Sequence, residues 1–269
     1  NLQKIGAFKA RGGVNAILSL AKEQLQNGVV THSSGNHAQA IAYAAQMNNV
    51  KAYIVMPENA PKVKVAAVRE YGGEIVFCEN NLEAREAGVL QIVNQFGATF
   101  IHPFDNYDVI AGQATAAKEL LADVDLDYLI APVGGGGLLA GTCLAAKYFS
   151  PHVSVFAAEP AGAADTKLSF QYGNIQKADY IRTIADGLLT TIGIKNFAII
   201  KNRIEDVLLV SDPEIIEAMR YLWERMKLVV EPSGAVSLAA LLKNKELFAG
   251  KKVGVILSGG NVDLGQLSF

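Results

Sequence analysis

The chain has 269 residues, of which 51% are hydrophobic and 19% charged, and its formal net charge is −2. This composition is that of a globular protein with a sizeable core. With 24 basic and 26 acidic residues, the chain has no excess of positive charge that would indicate binding to nucleic acid or to an anionic membrane. Cys78 and Cys143 have no partner at a disulfide-framework or zinc-site spacing, which favours a reducing compartment. We therefore expect a cytoplasmic protein that acts on a small molecule.

Short and long apolar segments alternate along the chain. The apolar residues from Val14 to Leu25 recur at helical spacing, and Gly28 follows where that helix is expected to end. Further helices are predicted at 61–71 and 82–96. Short apolar runs predict strands at 29–30, 53–56, 75–78, 128–131, 153–157, 207–210 and 253–257. Strands that alternate with helices imply parallel sheets covered on both faces, which is an α/β fold.

One uncharged stretch, residues 129–146, is long enough to be mistaken for a membrane span. We reject a span because Pro132 and four consecutive glycines would break a helix in lipid, whereas a buried strand and a glycine loop accommodate them. No basic segment followed by an apolar one opens the chain, so no signal peptide is expected. The chain begins with Asn1 rather than Met, which leaves open whether part of the first domain precedes it.

Three strand-end loops have compositions suited to binding. In parallel sheets, ligands bind at the carboxyl ends of the strands, where the loops leave the ladder. The loops read Ser-Ser-Gly-Asn-His at 33–37, four glycines at 134–137 and Ser-Gly-Gly-Asn at 258–261. We expect the function of the protein to reside in these loops.

The four consecutive glycines admit three interpretations. Between a strand and a helix, their N–H groups would form a phosphate site at the positive helix end. Alternatively, Gly135, Gly137 and Ala140 fit the G-x-G-x-x-A dinucleotide pattern, with Glu159 as the ribose-binding acid, which would indicate an NAD-dependent dehydrogenase. In the third interpretation the glycines only permit a tight turn. The glycines alone do not decide among these.

A fourth segment, Gly-Ala-Phe-Lys-Ala-Arg-Gly-Gly at 6–13, precedes the three loops. The four segments, in this order and spacing, resemble the motifs of fold type II pyridoxal-phosphate enzymes, and the chain looks most similar to the branch of serine racemases and serine/threonine dehydratases. The resemblance implies two parallel-sheet α/β domains of the tryptophan synthase β type, with the cofactor in the cleft between the domains. The large domain would comprise 1–28 and 103–269, and the small domain 29–102.

By this resemblance Lys9 carries pyridoxal 5′-phosphate (PLP) covalently, and Phe8 lies against the cofactor. Burial would lower the pKa of such a lysine and supply the neutral amine that attacks an aldehyde. Asn36 would hydrogen-bond the ring hydroxyl, and Ser258 would face the pyridine nitrogen, which a serine need not keep protonated. The cofactor phosphate would be held by the backbone of Gly134, Gly135, Gly136, Gly137 and Leu138.

The loop at 33–37 would bind the substrate carboxylate through hydroxyl, amide and N–H donors. The residues that match the family's substrate positions are Ser33, Ser34, Asn36 and His37. Ser34 would also be the second catalytic residue, because the matching serine of the racemases stands on the cofactor face opposite the lysine and can return a proton there. A serine also occurs at this position in dehydratases, so Ser34 leaves racemisation and elimination both open.

The segment Glu-Pro-Ala-Gly-Ala-Ala-Asp at 159–165 resembles a divalent-cation loop of the racemase-like branch. The ligands would be the carboxylates of Glu159 and Asp165 and the carbonyl of Ala163, and such hard oxygens suit Mg²⁺, Ca²⁺ or Mn²⁺. Two solvated loop acids are the alternative. Segments at 184–187 and 231–233 also resemble the family, without a chemical role that can be read from the sequence.

The resemblance implies an enzyme of amino-acid metabolism. The activity expected first is that of a PLP-dependent ammonia-lyase, a dehydratase that converts L-threonine- or L-serine-type hydroxy-amino acids into 2-oxo acids and ammonia. Serine racemisation, an isomerase activity, and 3-hydroxyaspartate dehydration are the alternatives within the family. An NAD-dependent dehydrogenase and a catalytically silent ligand-binding relative are the alternatives of other classes. The family also implies a homodimer, with a small amino acid as substrate and neither nucleic acid nor a membrane as partner.

Overall fold

The computed structural model describes residues 1–60, 62–263 and 265 of the chain. Its strands are β1 (Val29–His32), β2 (Ala52–Pro57), β3 (Glu74–Cys78), β4 (Thr99–Phe100), β5 (Tyr128–Pro132), β6 (Ser154–Pro160), β7 (Val207–Val210) and β8 (Val253–Val255). Its helices are α1 (Lys9–Leu18), α2 (Lys22–Leu25), α3 (Asn36–Met47), α4 (Lys62–Glu70), α5 (Leu82–Phe96), α6 (Tyr107–Asp123), α7 (Gly137–Phe149), α8 (Asp165–Tyr172), α9 (Ile194–Ile200), α10 (Asp212–Glu224) and α11 (Pro232–Lys243). Short 3-10 turns lie at Lys4–Gly6, Ala161–Ala163 and Asp186–Leu188.

The strands form two sheets of four, in the orders β3-β2-β1-β4 and β7-β6-β5-β8, and every pairing within them is parallel. The predicted α/β fold with two parallel sheets is confirmed. The chain divides into two compact units. The smaller unit, Lys9–Gly112, contains the first sheet, and the larger unit, Asn1–Phe8 with Gln113–Phe269, contains the second. The predicted small domain, 29–102, falls within the smaller unit, and its boundaries stay a prediction.

In the smaller unit, strand β2 is buried along its whole length. Successive side chains of a strand point to opposite faces of the sheet. Ile54 and Met56 accordingly pack in one apolar cluster with Ile41 of α3, whereas Tyr53 and Val55 pack in a second cluster with residues of α5. A strand covered on both faces needs a side chain that tolerates burial at every position, which explains why β2 is apolar throughout rather than alternating.

In the larger unit, the inner strands β5 and β6 are buried beyond their first residues. Ile130 and Phe156 share one apolar cluster with Met219 of α10 and Val236 of α11, while α7 packs against the same two strands. The carboxyl ends of β5 and β6 therefore release their loops from a well-packed base.

The helix predicted around residues 14–25 is wrong in its extent, because two helices, α1 and α2, replace it. The break between them has a local cause. The Ser19 hydroxyl donates to the carbonyl of Asn15, and the N–H of Ala21 donates to the side-chain oxygen of Gln24. Side chains that bond nearby backbone groups offer the chain an alternative to a continuing helix.

One further difference concerns a short element. Strand β4 was not predicted, since its two residues are too few to show an alternating pattern. The helix expected at 61–71 is α4, and Pro61 itself lies outside the described residues. Within the part of the chain that the structure describes, none of the helices has the length and apolar character that a membrane span requires.

Candidate active site

Lys9 is the first residue of α1 and belongs, with the loop at 33–37, to the smaller unit. Its amino group donates a hydrogen bond to the carbonyl of Pro103 at 2.8 Å. Burial of this group lowers its pKa from the ordinary value of 10.5 to about 8. The positive end of a helix also disfavours an ammonium ion. Lys9 can therefore supply a neutral amine near neutral pH, as its predicted role requires.

The loop at 33–37 joins the end of β1 to α3. The N–H of Gly35 donates to the Ser33 hydroxyl at 3.2 Å, and α3 begins at Asn36. Ser33, Ser34 and Asn36 are all partly exposed. Since the first N–H groups of a helix have no partner within the helix, this loop combines hydroxyl, amide and backbone donors. Such a set suits a carboxylate.

His37 differs from the other polar residues of this loop. It is 2% exposed, and the backbone carbonyl of Ile101 faces its ring, although neither ring nitrogen meets the full geometry of a hydrogen bond with a described residue. Burial holds its pKa well below the ordinary value, and the positive charge of Lys9 adds to this effect. The Ile101 carbonyl can pair only one ring nitrogen, and leaving a buried polar group unpaired costs about 1–3 kcal/mol, so the other nitrogen suits a ligand. Helix α1, which begins at Lys9, packs against helix α3, which carries His37 in its first turn.

Two further histidines lie beside this loop, and no sequence motif had indicated them. His32, the last residue of β1, stacks on Phe100 with ring centroids 5.8 Å apart and meets His102 edge-on at 6.0 Å. Burial and the nearby His102 lower the pKa of His32 to about 4, so its ring is neutral and packs as an aromatic. Nδ1 of His102 accepts from the N–H of Asp105 at 2.9 Å. The available signal was position, because each histidine lies at the carboxyl end of a strand.

In the larger unit, the glycine loop joins β5 to α7. Gly136 precedes the helix with φ 93°, a conformation that favours glycine. A Cβ atom at Gly136 would lie 2.9 Å from the Cβ of Asn196, and a Cβ atom at Gly134 would lie 2.9 Å from the Cα of Leu188. Backbone conformation and close packing thus require glycine at these positions. The open N–H groups at the start of α7, around Leu138, suit a phosphate.

Ser258 follows β8, is 4% exposed and belongs to a network that joins three segments of the larger unit. Its hydroxyl donates to the carbonyl of Ser233 at 3.4 Å, a long hydrogen bond that a ligand can replace. The hydroxyl of Ser233 accepts from the N–H of Gly187 at 2.9 Å. The segments at 184–187 and 231–233, which had no role in the sequence, therefore support the loop that carries Ser258.

The N-terminal segment pairs with this same loop. The N–H of Phe8 donates to the carbonyl of Ser258 at 2.9 Å, and Ala7 forms an antiparallel bridge with Gly259. These bonds fix the backbone of Phe8, the residue that directly precedes Lys9 in the chain. Two motifs from opposite ends of the sequence are thus adjacent in the fold.

Glu159 and Asp165 lie at the end of β6 and the start of α8. The two carboxylate oxygens of Glu159 accept from the N–H groups of Thr166 at 2.8 Å and Lys167 at 2.9 Å, and Asp165 accepts from the N–H of Ile192 at 2.9 Å. Burial raises the pKa of Glu159 to about 8 and that of Asp165 to about 6. The alternative of two solvated loop acids is wrong, because both residues are buried.

The third predicted cation ligand, Ala163, lies in the turn Ala161–Ala163 and is 1% exposed. Among the residues described, no group of three or more His, Cys, Asp or Glu could hold a metal ion. A cation at this loop would therefore need carbonyl and water oxygens in addition to the two carboxylates, a ligand set that Mg²⁺ and Ca²⁺ accept.

Comparison with known proteins gives one consistent result. The chain matches the family described as pyridoxal-phosphate dependent enzyme over residues 1–259. It is 54% identical over 273 residues to a serine racemase of Dictyostelium discoideum, covering 100% of this chain and 84% of the relative. It is 49% identical to an L-threo-3-hydroxyaspartate ammonia-lyase of Saccharomyces cerevisiae, covering 98% and 82%. The crystal structure of the Dictyostelium discoideum serine racemase matches with a TM-score of 0.93 and 55% identity, covering 98% of this chain and 86% of that chain.

The residues of both units suit PLP. A lysine with a lowered pKa suits the aldehyde, and a glycine loop at a helix start suits the phosphate. A buried serine hydroxyl with one weak bond suits a ring nitrogen, and the buried imidazole of His37 suits a carboxylate or hydroxyl. These groups fit the chemistry of PLP, and their individual contacts with it stay predictions.

The dinucleotide alternative is not supported. The family match accounts for the glycine loop together with the Lys9 segment and the two other loops, which a dinucleotide site does not. The chain therefore belongs to the fold type II pyridoxal-phosphate dependent enzymes, in the branch of the serine racemases and serine/threonine dehydratases.

Proposed function

We propose that this enzyme is a serine racemase that also eliminates water from β-hydroxy-amino acids. The observation that best supports the proposal lies in the smaller unit, where helix α1, which begins at Lys9 with its lowered pKa, packs against helix α3, whose first turn carries the buried His37. The groups that we propose as base for the α-proton and as donors for the α-carboxylate thus lie on two helices in contact. Racemisation and elimination both need these two groups.

The proposal reverses the order of activities expected from the sequence, in which dehydration of L-threonine or L-serine came first. A relative at 54% identity is a serine racemase, and one at 49% is an L-threo-3-hydroxyaspartate ammonia-lyase. These names support the racemase alternative better than a threonine dehydratase. Elimination from L-threo-3-hydroxyaspartate is our second candidate function, supported by the second of these relatives.

When bound, PLP supplies an electron-withdrawing ring that stabilises the electron pair left on the α-carbon after its proton leaves. The chain supplies the remaining groups. Lys9 would hold the cofactor between turnovers and, once the substrate amine displaces it, accept the α-proton on its neutral amine. Ser33, Asn36 and His37 would bind the α-carboxylate and orient the α-carbon for this transfer.

Ser34 would determine which product forms. A proton returned by the Ser34 hydroxyl, on the face opposite Lys9, would give the enantiomer of the substrate. If the β-hydroxyl instead takes up a proton, such as the one that Lys9 accepted, and leaves as water, the remaining enamine is hydrolysed to a 2-oxo acid and ammonia. The ratio of the two products then depends on how well Ser34 donates its proton.

The larger unit would hold the cofactor. The N–H groups of residues 134–138 would bind the phosphate, Ser258 would hydrogen-bond the pyridine nitrogen, and Phe8 would pack against the ring. Asn36, from the smaller unit, would bond the ring hydroxyl. None of these groups needs to exchange a proton with the substrate.

Activity assays on the PLP-loaded enzyme test the proposal. D-serine formed from L-serine is measured by chiral chromatography, and 2-oxo acids formed from L-serine, L-threonine and L-threo-3-hydroxyaspartate are measured in parallel. We expect inversion of serine and faster elimination from hydroxyaspartate than from threonine. Turnover of threonine alone, without inversion of serine, would restore the dehydratase interpretation. No turnover of any of these substrates by PLP-loaded protein would indicate a catalytically silent relative.

We also propose that Mg²⁺, or Ca²⁺ or Mn²⁺, binds the carboxylates of Glu159 and Asp165 and the carbonyl of Ala163. The support is electrostatic, since the charge of Asp165 contributes to the raised pKa of its buried neighbour Glu159, and a cation would relieve that repulsion. Thermal unfolding of the holoenzyme is measured with Mg²⁺ and with a chelator. We expect Mg²⁺ to raise Tm, and the Glu159→Gln, Asp165→Asn double variant to show no rise. An equal rise in that variant would contradict this site.

A homodimer in the cytoplasm is our further proposal, supported by the family resemblance and by the composition of the chain. Sedimentation velocity of the holoenzyme should show a species of twice the 28.6 kDa chain mass. Fractionation of cells that express the protein should place it in the cytosolic fraction. A monomer at micromolar concentration would contradict the dimer.

A further inference from the structure

The carbonyl oxygen of Gly135, within the glycine loop, accepts two hydrogen bonds from a segment of the larger unit at 192–196. The N–H of Gly193 donates at 3.0 Å, and the side-chain amide of Asn196 donates at 2.7 Å. Asn196 is fully buried on α9. The sequence had shown no role for this residue, and no family motif quoted above includes it.

A fixed carbonyl also fixes the next N–H group in the chain. In a trans peptide unit, the C=O of one residue and the N–H of the following residue point in opposite directions. The described chain contains no cis peptide bond, so holding the carbonyl of Gly135 on the Asn196 side aims the N–H of Gly136 the other way. Glycine backbones otherwise rotate with little steric restriction, and four in succession would let these peptide units turn.

The segment that holds Gly135 is anchored at its other end as well. The N–H of Ile192 donates to the buried carboxylate of Asp165 at 2.9 Å. Asn196 also packs directly against the loop. A Cβ atom added at Gly136 would lie only 2.9 Å from the Cβ of Asn196. The donor amide is therefore held on a rigid support.

We propose that Asn196 is a positioning residue of the phosphate site. Its amide, together with the N–H of Gly193, keeps the peptide between Gly135 and Gly136 in the orientation that presents the Gly136 N–H to the cofactor phosphate. The inference rests on the proposed phosphate role of residues 134–138. Removing the amide frees the peptide, so affinity falls for ligands that carry a phosphate and is unchanged for ligands that lack one.

The test compares Asn196→Ala and Asn196→Leu with the wild-type protein. Leucine keeps the size of asparagine but has no polar group, so both variants lose the bond. Apoprotein is titrated with PLP, with pyridoxal, which lacks the phosphate, and with inorganic phosphate, and the ³¹P NMR shift of bound PLP is recorded. We expect ~3- to 10-fold weaker binding of PLP and of inorganic phosphate, the effect of one lost hydrogen bond, and a displaced ³¹P signal. Pyridoxal binding should be unchanged.

Phe197→Leu is the matched control. Phe197 is the neighbouring residue on α9 and is 6% exposed, and its phenyl ring has no donor for the Gly135 carbonyl. It should lower Tm without changing the ratio of PLP to pyridoxal affinity. Equal weakening of PLP and pyridoxal in the Asn196 variants would overturn the proposal and leave a general role in stability. If inorganic phosphate binding is unchanged both in the Asn196 variants and in Gly136→Ala, the proposed phosphate role of the loop is itself wrong.

Discussion

The two units differ in the chemistry of the groups that we propose for the active site. The larger unit contributes backbone N–H groups of a glycine loop and the hydroxyl of Ser258, none of which titrates near neutral pH. The smaller unit contributes Lys9 and His37, whose pKa values burial lowers, to about 8 for Lys9 and well below the ordinary value for His37. Holding a cofactor requires donors in fixed positions, whereas accepting the α-proton requires a base such as Lys9, whose pKa is near the working pH.

This difference predicts how substitutions in the two units should act. Changes in the smaller unit should alter proton transfer and leave the affinity for phosphate unchanged. Changes in the larger unit should weaken cofactor binding and leave the ratio of products unchanged. Each of the following experiments can break this division.

Lys9→Ala should have the largest effect. Loss of the base and of the covalent link should reduce both inversion and elimination at least ~10³-fold, and the absorption band of covalently held PLP should disappear. The affinity of the apoprotein for inorganic phosphate should be unchanged, because the larger unit provides that site. Lys22→Ala, at an exposed lysine of α2, is the control and should retain full activity. Retained activity in Lys9→Ala would show that another residue is the base.

Ser34→Ala should separate the two products. Inversion should fall ~10²-fold or more, the usual contribution of a positioned acid, while elimination should change less than ~10-fold. Chiral chromatography and a 2-oxo acid assay on the same reaction mixture measure both. Ser33→Ala serves as comparison, and there we expect a higher KM for both reactions and an unchanged product ratio. An equal fall of both activities in Ser34→Ala would exclude a separate role in returning the proton.

Gly136→Ala should weaken the cofactor site of the larger unit. A side chain there meets the φ of 93° and a contact at 2.9 Å, so we expect PLP to bind roughly 10- to 100-fold more weakly and Tm to fall. Gly173→Ala is matched, since that glycine has φ 74° but open space around it. It should lower Tm through backbone strain alone and leave PLP affinity unchanged. The product ratio of PLP-loaded Gly136→Ala enzyme should equal that of the wild type.

The pH dependence of Lys9 should give the smallest effect. Its pKa is lowered from 10.5 to about 8, so the neutral fraction of the amine rises with pH and reaches one half at about pH 8. Acylation of Lys9 in the apoprotein should increase about tenfold between pH 7 and pH 9 and then level off, as peptide mass spectrometry can measure. A rate that keeps rising above pH 9 would show an ordinary lysine.

The same shift predicts a stability trend. Between pH 8 and 10.5 the unfolded chain holds more protons at Lys9 than the folded chain does, so the contribution of this residue to the free energy of unfolding rises with pH in that window. Denaturant unfolding of the apoprotein and of Lys9→Met at several pH values isolates this contribution. The two proteins should differ in their pH slope there and not at lower pH.

Much of the site could be predicted from the sequence because its motifs are local. The glycine run, the loop at 33–37 and the loop that begins at Ser258 each directly follow an apolar strand, and parallel strands place such loops at the ligand-binding edge of a sheet. Short elements were harder to predict. Strand β4 has only two residues, and the break after α1 depends on side-chain bonds rather than on apolar spacing.

The order of residues by itself predicted the parallel α/β architecture, because periodicity is a property of neighbouring residues, and the resemblance of its four motifs to a known family implied the candidate roles of Lys9 and the glycine loop. Only the tertiary structure decided which distant groups meet. It placed Asn196 on the carbonyl of Gly135, paired Phe8 with Ser258 and buried Glu159 among backbone donors. These contacts depend on how helices and strands pack, and the burial that shifts a pKa comes from atoms remote in the chain, which no local pattern records.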